Sequence, residues 1–258
     1  MKLFSKLLLL ILPSIFFCFG TTTVLADAKS DYEYQYSLYR GKYIEYKLLK
    51  SDYISNPTLD NQQKAILAAK ETLSARDLAK SNYAEYLLSL IKNTKANYKN
   101  IDPIIFSLTK AKNFFSNEAL KSQSIATPAD LKNFTQEYNT NVIEHDHSSR
   151  AGVVAYKLSL LVHFQQEMDN ALNIILPKLA TPISTPLKTK IEDLQKLGKS
   201  INASIDELAN TLLSEEDLAN IESENYFSEK SEAAQKIKSQ QLKWMDSLID
   251  IDLNYAHS

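Results

Sequence analysis

The chain has 258 residues, a formal net charge of −2 and a single cysteine, Cys18. This near-neutral balance, with no basic run of five or more residues, argues against nucleic acid as the main partner. Four glycines are too few for the many turns that a sheet protein of this size needs. The composition therefore predicts an all-α protein with long helices and few turns.

Residues 1–26 have the pattern of a signal peptide. A short region with two lysines precedes the apolar region Leu7–Phe19, and Val24-Leu25-Ala26 offers small residues at the two positions that cleavage requires. The alternative is an uncleaved membrane anchor. Cleavage removes Cys18, so the mature chain, 27–258, has no disulfide and no thiol. The pattern predicts export to the cell surface or to the outside of the cell.

The first mature helix is predicted from Asp27 to Ser55, because Asn56-Pro57 ends it. It carries an a/d seam in which six of the seven positions are tyrosine. The seam consists of Tyr32, Tyr36, Tyr39, Tyr43, Tyr46, Lys50 and Tyr53. The strict 4-3 spacing favours a position in the core of a bundle.

The alternative for these tyrosines is a row of exposed rings. Aromatic faces pack on sugars and tyrosine hydroxyls form hydrogen bonds, so such a row would bind a glycan, a peptide or a wall polymer. The candidate partner-binding residues are Tyr34, Tyr36, Tyr39 and Tyr43. Tyr34 lies off the seam and is the strongest candidate for exposure.

Two further helices are predicted before residue 125. The first is capped by Thr58 and extends to about Lys99, and Asp102-Pro103 begins a shorter one. Arg76 and Lys80 interrupt the apolar seam of the longer helix. We expect them either to extend toward solvent or to pair with acids of a neighbouring helix.

Thr127-Pro128-Ala129-Asp130 predicts the start of the next helix, which extends to about Leu179. Its second half carries a regular heptad seam, whereas the apolar residues of its first half lie in a different phase. The seam consists of Val154, Leu158, Leu161, Gln165, Met168, Leu172, Ile175 and Leu179. The two registers meet between Glu144 and Gly152, where we expect a kink, a stutter or a short break.

The last two helices have complete heptad seams. The first seam consists of Leu187, Ile191, Leu194, Gly198, Ile201, Ile205, Leu208 and Leu212. Ser214-Glu215-Glu216-Asp217 is a capping box for the final helix. The final seam consists of Ala234, Ile237, Gln241, Trp244, Leu248, Ile251 and Tyr255.

These elements predict an all-α fold, an elongated antiparallel bundle of five to six long helices with coiled-coil-like heptad packing. The bundle spans 27–258, with a weak sub-boundary near 125–128. A heptad seam has the same pattern whether its partner helix belongs to the same chain or to another copy. A homo-oligomer formed through the seams is therefore an open alternative.

Glu144-His145-Asp146-His147 is the one cluster whose residue types suit a metal ion. The candidate ligands are His145, His147 and Glu144. An extended backbone would let both histidines bind zinc, whereas in a helix they point to nearly opposite faces. A hydrated polar joint at the change of heptad phase is the favoured interpretation, and a pH-sensitive switch is a third.

Enzyme signatures are missing from the sequence, which contains no Gly-x-Ser-x-Gly, no His-Glu-x-x-His and no Gly-rich phosphate loop. The sequence therefore predicts a protein that is not an enzyme and has no cofactor.

The tyrosine-rich run from Asp31 to Tyr46, followed by Leu73-Ser-Ala-Arg-Asp-Leu, resembles exported all-helical proteins of candidate-phylum bacteria. The resemblance covers the first two mature helices and rests on tyrosine spacing. It implies a bacterial, secreted or surface setting and no catalytic residue, since those proteins have no assigned activity.

The leading hypothesis is an exported, non-enzymatic helical protein that acts as a structural or interaction module, with an unknown protein or cell-envelope partner. The second hypothesis is a membrane-active bundle of the pore-forming type. Its difficulty is that each seam alternates with Lys, Asp, Gln or Asn, so that no mature helix is apolar enough to span a membrane unaided. Membrane contact then rests on the N-terminal segment if it is uncleaved. The third is a metal- or ligand-binding bundle at the joint between His145 and His147.

Overall fold

The structure is a computed structural model that describes residues 23–179, 183–212 and 225–255. Almost all of these residues are helical, and no strand occurs among them. The helices are α1 Thr23–Ser55, α2 Leu59–Thr94, α3 Ile101–Ser122, α4 Pro128–Ile175, α5 Thr185–Asn210 and α6 Asn225–Tyr255. The predicted all-α bundle is therefore confirmed. The apolar region Leu7–Phe19 and the capping box at Ser214 lie outside the described residues.

The chain divides into two compact units. Unit 1 contains Met1–Thr94 and Leu108–His145, and unit 2 contains Lys95–Ser107 and Asp146–Ser258. Helices α3 and α4 are thus each divided, with one part in unit 1 and the other part in unit 2. Residues 125–128, where the sequence suggested a sub-boundary, lie within unit 1.

Helix α4 begins where the sequence predicts. The backbone N–H of Asp130 donates to Thr127 Oγ1 at 3.1 Å, and the N–H of Thr127 donates to Asp130 Oδ2 at 2.9 Å. These two hydrogen bonds form a capping box. The Thr127 side chain and the backbone N–H groups of Ala126 and Thr127 lower the pKa of the Asp130 carboxyl, because they stabilise its charged form.

Of the three alternatives expected between Glu144 and Gly152, the short break is wrong, because α4 is helical throughout, whereas the kink and the stutter stay predictions. The change of heptad phase instead coincides with the division of α4 between the units, which falls between His145 and Asp146. The first half of the helix packs in unit 1 and the second half in unit 2. Each part of α4 therefore packs against different neighbours and has its apolar residues in a different heptad register. The helix backbone is nevertheless continuous.

Helix α2 ends five residues before the predicted Lys99. Lys95 and Asn100 have left-handed backbone conformations, with φ of 52° and 71°. Asparagine adopts this conformation more readily than most residues. The Asn100 amide also donates to the carbonyl oxygens of Ala209 and Leu212, at 3.2 and 3.1 Å, and so satisfies carbonyl groups at the end of α5.

In unit 1, α2 packs against α1 on one side and against α3 and α4 on the other. Its buried positions carry mostly small side chains, namely Ala65, Ala68, Ala69, Thr72, Ala75, Ala79, Ser81 and Ala84. Thr72 Oγ1 donates to the carbonyl oxygen of Lys42 in α1 at 2.9 Å. On the other side, Ser81 Oγ donates to the carbonyl oxygen of Lys112 in α3 at 3.0 Å. Side-chain hydroxyls reach a neighbouring backbone only where the helices approach closely.

Unit 2 buries the seams that the sequence predicts. All eight predicted seam residues from Leu187 to Leu212 are buried, and so are those from Val154 to Leu179. Trp244 of α6 is completely buried, and its indole N–H donates to the carbonyl oxygen of Leu194 at 2.9 Å. Gly198 makes room for this ring, because a Cβ atom placed there would lie 3.0 Å from Trp244 Nε1.

Gly198 and Gly41 allow the same substitution to be compared in two environments. We expect Gly198→Ala to destabilise unit 2 by about 1–2 kcal/mol, because the added methyl group would lie 3.0 Å from the indole nitrogen that donates to Leu194. A Cβ atom at Gly41 meets nothing within 4 Å. Gly41→Ala is therefore expected to stabilise α1 of the monomer by about 0.5–1 kcal/mol, through helix propensity.

Urea unfolding followed by circular dichroism measures both changes, and fluorescence of Trp244, the single tryptophan, reports on unit 2. Equal effects of the two substitutions would contradict the close contact between Gly198 and Trp244.

Candidate functional site

Four tyrosine rings of α1 form a row along one side of the helix, which we call the tyrosine ladder: Tyr32, Tyr36, Tyr39 and Tyr43. Successive ring centroids lie 5.9, 6.5 and 6.0 Å apart. These separations are within the range of favourable aromatic contacts. The 4-3-4 spacing of the residues produces the row, because residues three and four apart are neighbours on a helix surface.

Helix α2 extends the ladder at its N-terminal end. The Tyr32 ring lies 5.0 Å from the ring of Tyr83 and stacks on that of Tyr86 at 6.3 Å. Burial raises the pKa of Tyr32 and of Tyr83, and the neighbouring tyrosines add to both shifts. Both hydroxyls therefore stay protonated at neutral pH, where they act as hydrogen-bond donors and acceptors.

The ladder is open to solvent along one edge. Tyr36 and Tyr43 are 45% and 43% exposed, whereas Tyr32 and Tyr39 are half-buried. The favoured prediction that these tyrosines are core residues is thus wrong, because the contact with α2 covers only one strip of α1. Lys47 extends the row with its ammonium 5.0 Å from the centre of the Tyr43 ring.

Tyr34 lies off the ladder and is 65% exposed, as the sequence predicts. It lines a shallow groove of about 330 Å³ on α1. The other lining residues are Ser37, Leu38, Gly41, Lys42 and Glu45. The four predicted partner-binding residues therefore divide into three on the ladder, Tyr36, Tyr39 and Tyr43, and one on a different side of the helix.

A charged cluster lies behind the ladder, inside unit 1. Asp77 is completely buried and forms two hydrogen bonds with Arg76, of 2.8 and 3.0 Å. The Tyr138 hydroxyl of α4 donates to Asp77 Oδ1 at 3.1 Å, and the Arg76 guanidinium lies 3.9 Å from the centre of the Tyr138 ring. Arg76 therefore pairs with the next residue of its own helix and not with an acid of a neighbouring helix.

Burial raises the pKa of the Asp77 carboxyl, while the hydrogen bonds from Arg76 and Tyr138 act in the opposite direction. Lys80 completes the surroundings, with its ammonium 5.0 Å from the centre of the Phe115 ring. A fully buried carboxylate between a guanidinium and a phenol is a satisfied polar contact. Its geometry links α2 to α4 and stabilises one arrangement of these helices.

The candidate metal ligands have aromatic neighbours. His145 belongs to unit 1 and stacks on Phe114, with 4.0 Å between ring centroids. His147 belongs to unit 2, where its ring centroid lies 5.7 Å from that of Phe227. Within 23–179, 183–212 and 225–255, no three His, Cys, Asp or Glu side chains are grouped so that they would hold a metal ion. A metal site that uses His145, His147 and Glu144 stays a prediction.

Sequence reasoning missed two features of unit 1. Tyr86 was not recognised as part of the aromatic row, because contacts between α1 and α2 are invisible before their alignment is known. Burial of Asp77 was missed as well. The sequence offered no signal for it, because Lys70 and Glu71 form a similar adjacent pair on the same helix and neither is buried.

Comparison with known protein families, with curated proteins and with solved structures finds no match. None of the helices in the part of the chain that the structure describes has both the length and the apolar character needed to cross a membrane.

The buried cluster of Arg76, Asp77 and Tyr138 predicts that a single substitution lowers the stability of unit 1 strongly. We expect Asp77→Ala to destabilise unit 1 by about 3–5 kcal/mol, because it leaves the Arg76 charge largely buried without its partner. Tyr138→Phe removes one hydrogen bond and is expected to cost about 1 kcal/mol.

Asp60→Ala is the matched control for Asp77→Ala, since Asp60 lies on the same helix in an exposed pair with Lys64. An exposed pair of this kind contributes little to stability. Urea unfolding of the three variants measures the costs, and similar values for Asp60→Ala and Asp77→Ala would contradict the structural role of the cluster.

Proposed function

We propose that the chain is an exported, non-enzymatic interaction module that acts at or outside the bacterial cell surface, and that its tyrosine ladder binds an extended glycan of the cell envelope. The signal-peptide pattern of residues 1–26 supports export. The observation that carries the binding proposal is the open edge of the ladder, where Tyr36 and Tyr43 expose much of their rings on a rigid helix.

The chemistry of the ladder suits a sugar polymer better than an apolar peptide. Each ring offers an apolar face for the C–H groups of a sugar and a hydroxyl for its polar groups. The rings follow one another along the helix at 5.9 to 6.5 Å, so successive sugars of a polymer would meet successive rings. An apolar peptide helix would instead require a hydrophobic groove, which a row of tyrosine hydroxyls does not provide.

The ring positions are also fixed before binding. Tyr32 packs against Tyr83 and Tyr86, and it contacts Tyr36 in turn. Tyrosine has only two side-chain torsions, so little conformational entropy is lost when a ligand binds to rings that are already ordered.

The double substitution Tyr36→Ala with Tyr43→Ala tests the proposal. Isothermal titration calorimetry with chitohexaose, cellohexaose and peptidoglycan glycan strands as probes measures affinity. We expect at least one probe to bind, and the double variant to bind it about tenfold more weakly, which corresponds to about 1.4 kcal/mol of lost ring contact.

Tyr34→Ala is the matched control, since it removes an exposed tyrosine of the same helix that lies off the ladder. It should leave the affinity for short oligosaccharides unchanged. If the wild-type protein binds none of the probes, or if Tyr34→Ala weakens binding as much as the double variant, the glycan proposal fails.

A further inference from the structure

The side of α1 that faces away from α2 carries a second heptad seam, which we call the outer seam. It follows the 4-3 spacing without interruption and consists of Ser30, Tyr34, Ser37, Gly41, Ile44, Leu48, Ser51 and Ser55. All eight residues are exposed, and Ile44 and Leu48 are 56% and 63% exposed. At 100° per residue, these positions lie opposite the strip of Tyr32, Tyr39 and Tyr46 that packs on α2.

The outer seam contains no charged residue, although α1 is rich in charge on both sides of it. A helix face that remains in water normally carries charged side chains. Its large apolar members, Tyr34, Ile44 and Leu48, lie at a and d positions, which is where a helix packs against a second helix. Serine and glycine occupy the other five positions, and these small residues allow the two backbones to approach closely.

The groove beside Gly41 has the geometry of a coiled-coil hole. With Tyr34 and Gly41 at consecutive a positions, Ser37 is at position d and Leu38 at position e. These four residues line the groove, which is thus one hole of the kind that receives a side chain from a facing helix. The space over Gly41 is open, since a Cβ atom there would meet nothing within 4 Å.

The charges that flank the outer seam identify the facing helix. Arg40 and Lys47 occupy g positions on one flank, and Glu45 and Asp52 occupy e positions on the other. In a parallel coiled coil, each g residue meets the e residue five positions further along the partner helix. Arg40 then faces Glu45 of the partner subunit, and Lys47 faces Asp52 of the partner subunit.

The same charges disfavour the antiparallel arrangement, which places e beside e and g beside g. Among these four residues, acids would then meet acids and cations would meet cations, although Glu33, a further g residue, would meet a cation. We therefore propose that the outer seam forms a parallel, in-register, two-stranded coiled coil with the outer seam of a second copy of this chain. Twofold symmetry makes every favourable pair occur twice.

The intramolecular contacts of α1 are compatible with this dimer. Lys42 contacts Glu71 at 2.6 Å and Glu45 at 3.3 Å, and it lies between the outer seam and α2. Glu45 keeps half of its side chain in solvent, so its second carboxylate oxygen is available for Arg40 of the partner subunit. The ladder lies on another side of α1 and stays accessible in the dimer.

Charge reversal on each flank tests the pairing. One variant carries Arg40→Glu with Lys47→Glu, and the other carries Glu45→Lys with Asp52→Lys. Each variant alone places like charges at both charged flanking pairs, whereas an equimolar mixture restores opposite charges. Sedimentation equilibrium should show a wild-type dimer, a dissociation constant at least about tenfold higher for each variant alone, and a heterodimer in the mixture.

A wild-type protein that stays monomeric at high micromolar concentration overturns the proposal. So do variants that dimerise as the wild type does. A mixture in which no heterodimer forms, with both variants folded by circular dichroism, overturns the parallel register.

Disulfide trapping is a second measurement that does not depend on charge. In a Cys18→Ser background, Ser37→Cys places a thiol at a d position, where it faces its own copy in a parallel dimer. Lys50→Cys is the matched control on an exposed position of the opposite side of α1. Mild oxidation should cross-link the Ser37→Cys protein alone, and equal cross-linking of both proteins, or of neither, contradicts the dimer.

Different variants test the dimer proposal and the glycan proposal, so the failure of one can be told apart from the failure of the other. Tyr34→Ala is expected to weaken the dimer about tenfold and to leave binding of short oligosaccharides unchanged. Tyr36→Ala with Tyr43→Ala is expected to do the reverse, because these rings lie off the outer seam. A dimer that does not respond to Tyr34→Ala overturns the assignment of the outer seam, whatever the glycan measurements give.

Discussion

The small side chains of α2 determine how unit 1 is built. Alanine, serine and threonine on both of its sides allow α1 to approach from one side and α3 and α4 from the other. The hydrogen bonds from Thr72 and Ser81 to backbone carbonyl oxygens occur because the helices are this close. Since α2 supplies little volume, its neighbours must supply the large side chains that fill the space. The tyrosines of α1 and Phe115 of α3 do so.

This arrangement also determines what α1 leaves exposed. A helix that packs on one neighbour buries one strip of its surface, and two further sides of α1 carry side chains that are neither charged nor buried. One is the open edge of the tyrosine ladder and the other is the outer seam. A coiled-coil dimer would cover the outer seam and place two ladders in one particle. Two linked ladders would bind a long polymer more tightly than one, without any new contact.

The buried pair of Arg76 and Asp77 has a different consequence. A buried ion pair seldom stabilises a fold more than apolar residues of the same volume would, because both charges lose their hydration. Here the pair is shared between helices, since Tyr138 of α4 both hydrogen-bonds to Asp77 and packs on Arg76. Only one alignment of α2 and α4 satisfies all three groups. The cluster thus specifies how these helices pack, in a unit whose other buried contacts are mostly alanine and aromatic rings.

The sequence alone determined the helices, most of their ends and the residues of the aliphatic seams, because periodicity and capping are local properties. Thus the seam from Leu187 to Leu212 and the cap at Thr127 were predictable residue by residue. Tertiary structure decided the rest. A heptad pattern predicts that one strip of a helix packs against another helix. How much of each side chain becomes buried depends on the number of neighbouring helices, which the pattern does not give. For that reason the tyrosine seam, which has the spacing of a core, became a half-open ladder beside a single helix, and the change of phase in α4 became an exchange of packing partners along an unbroken helix.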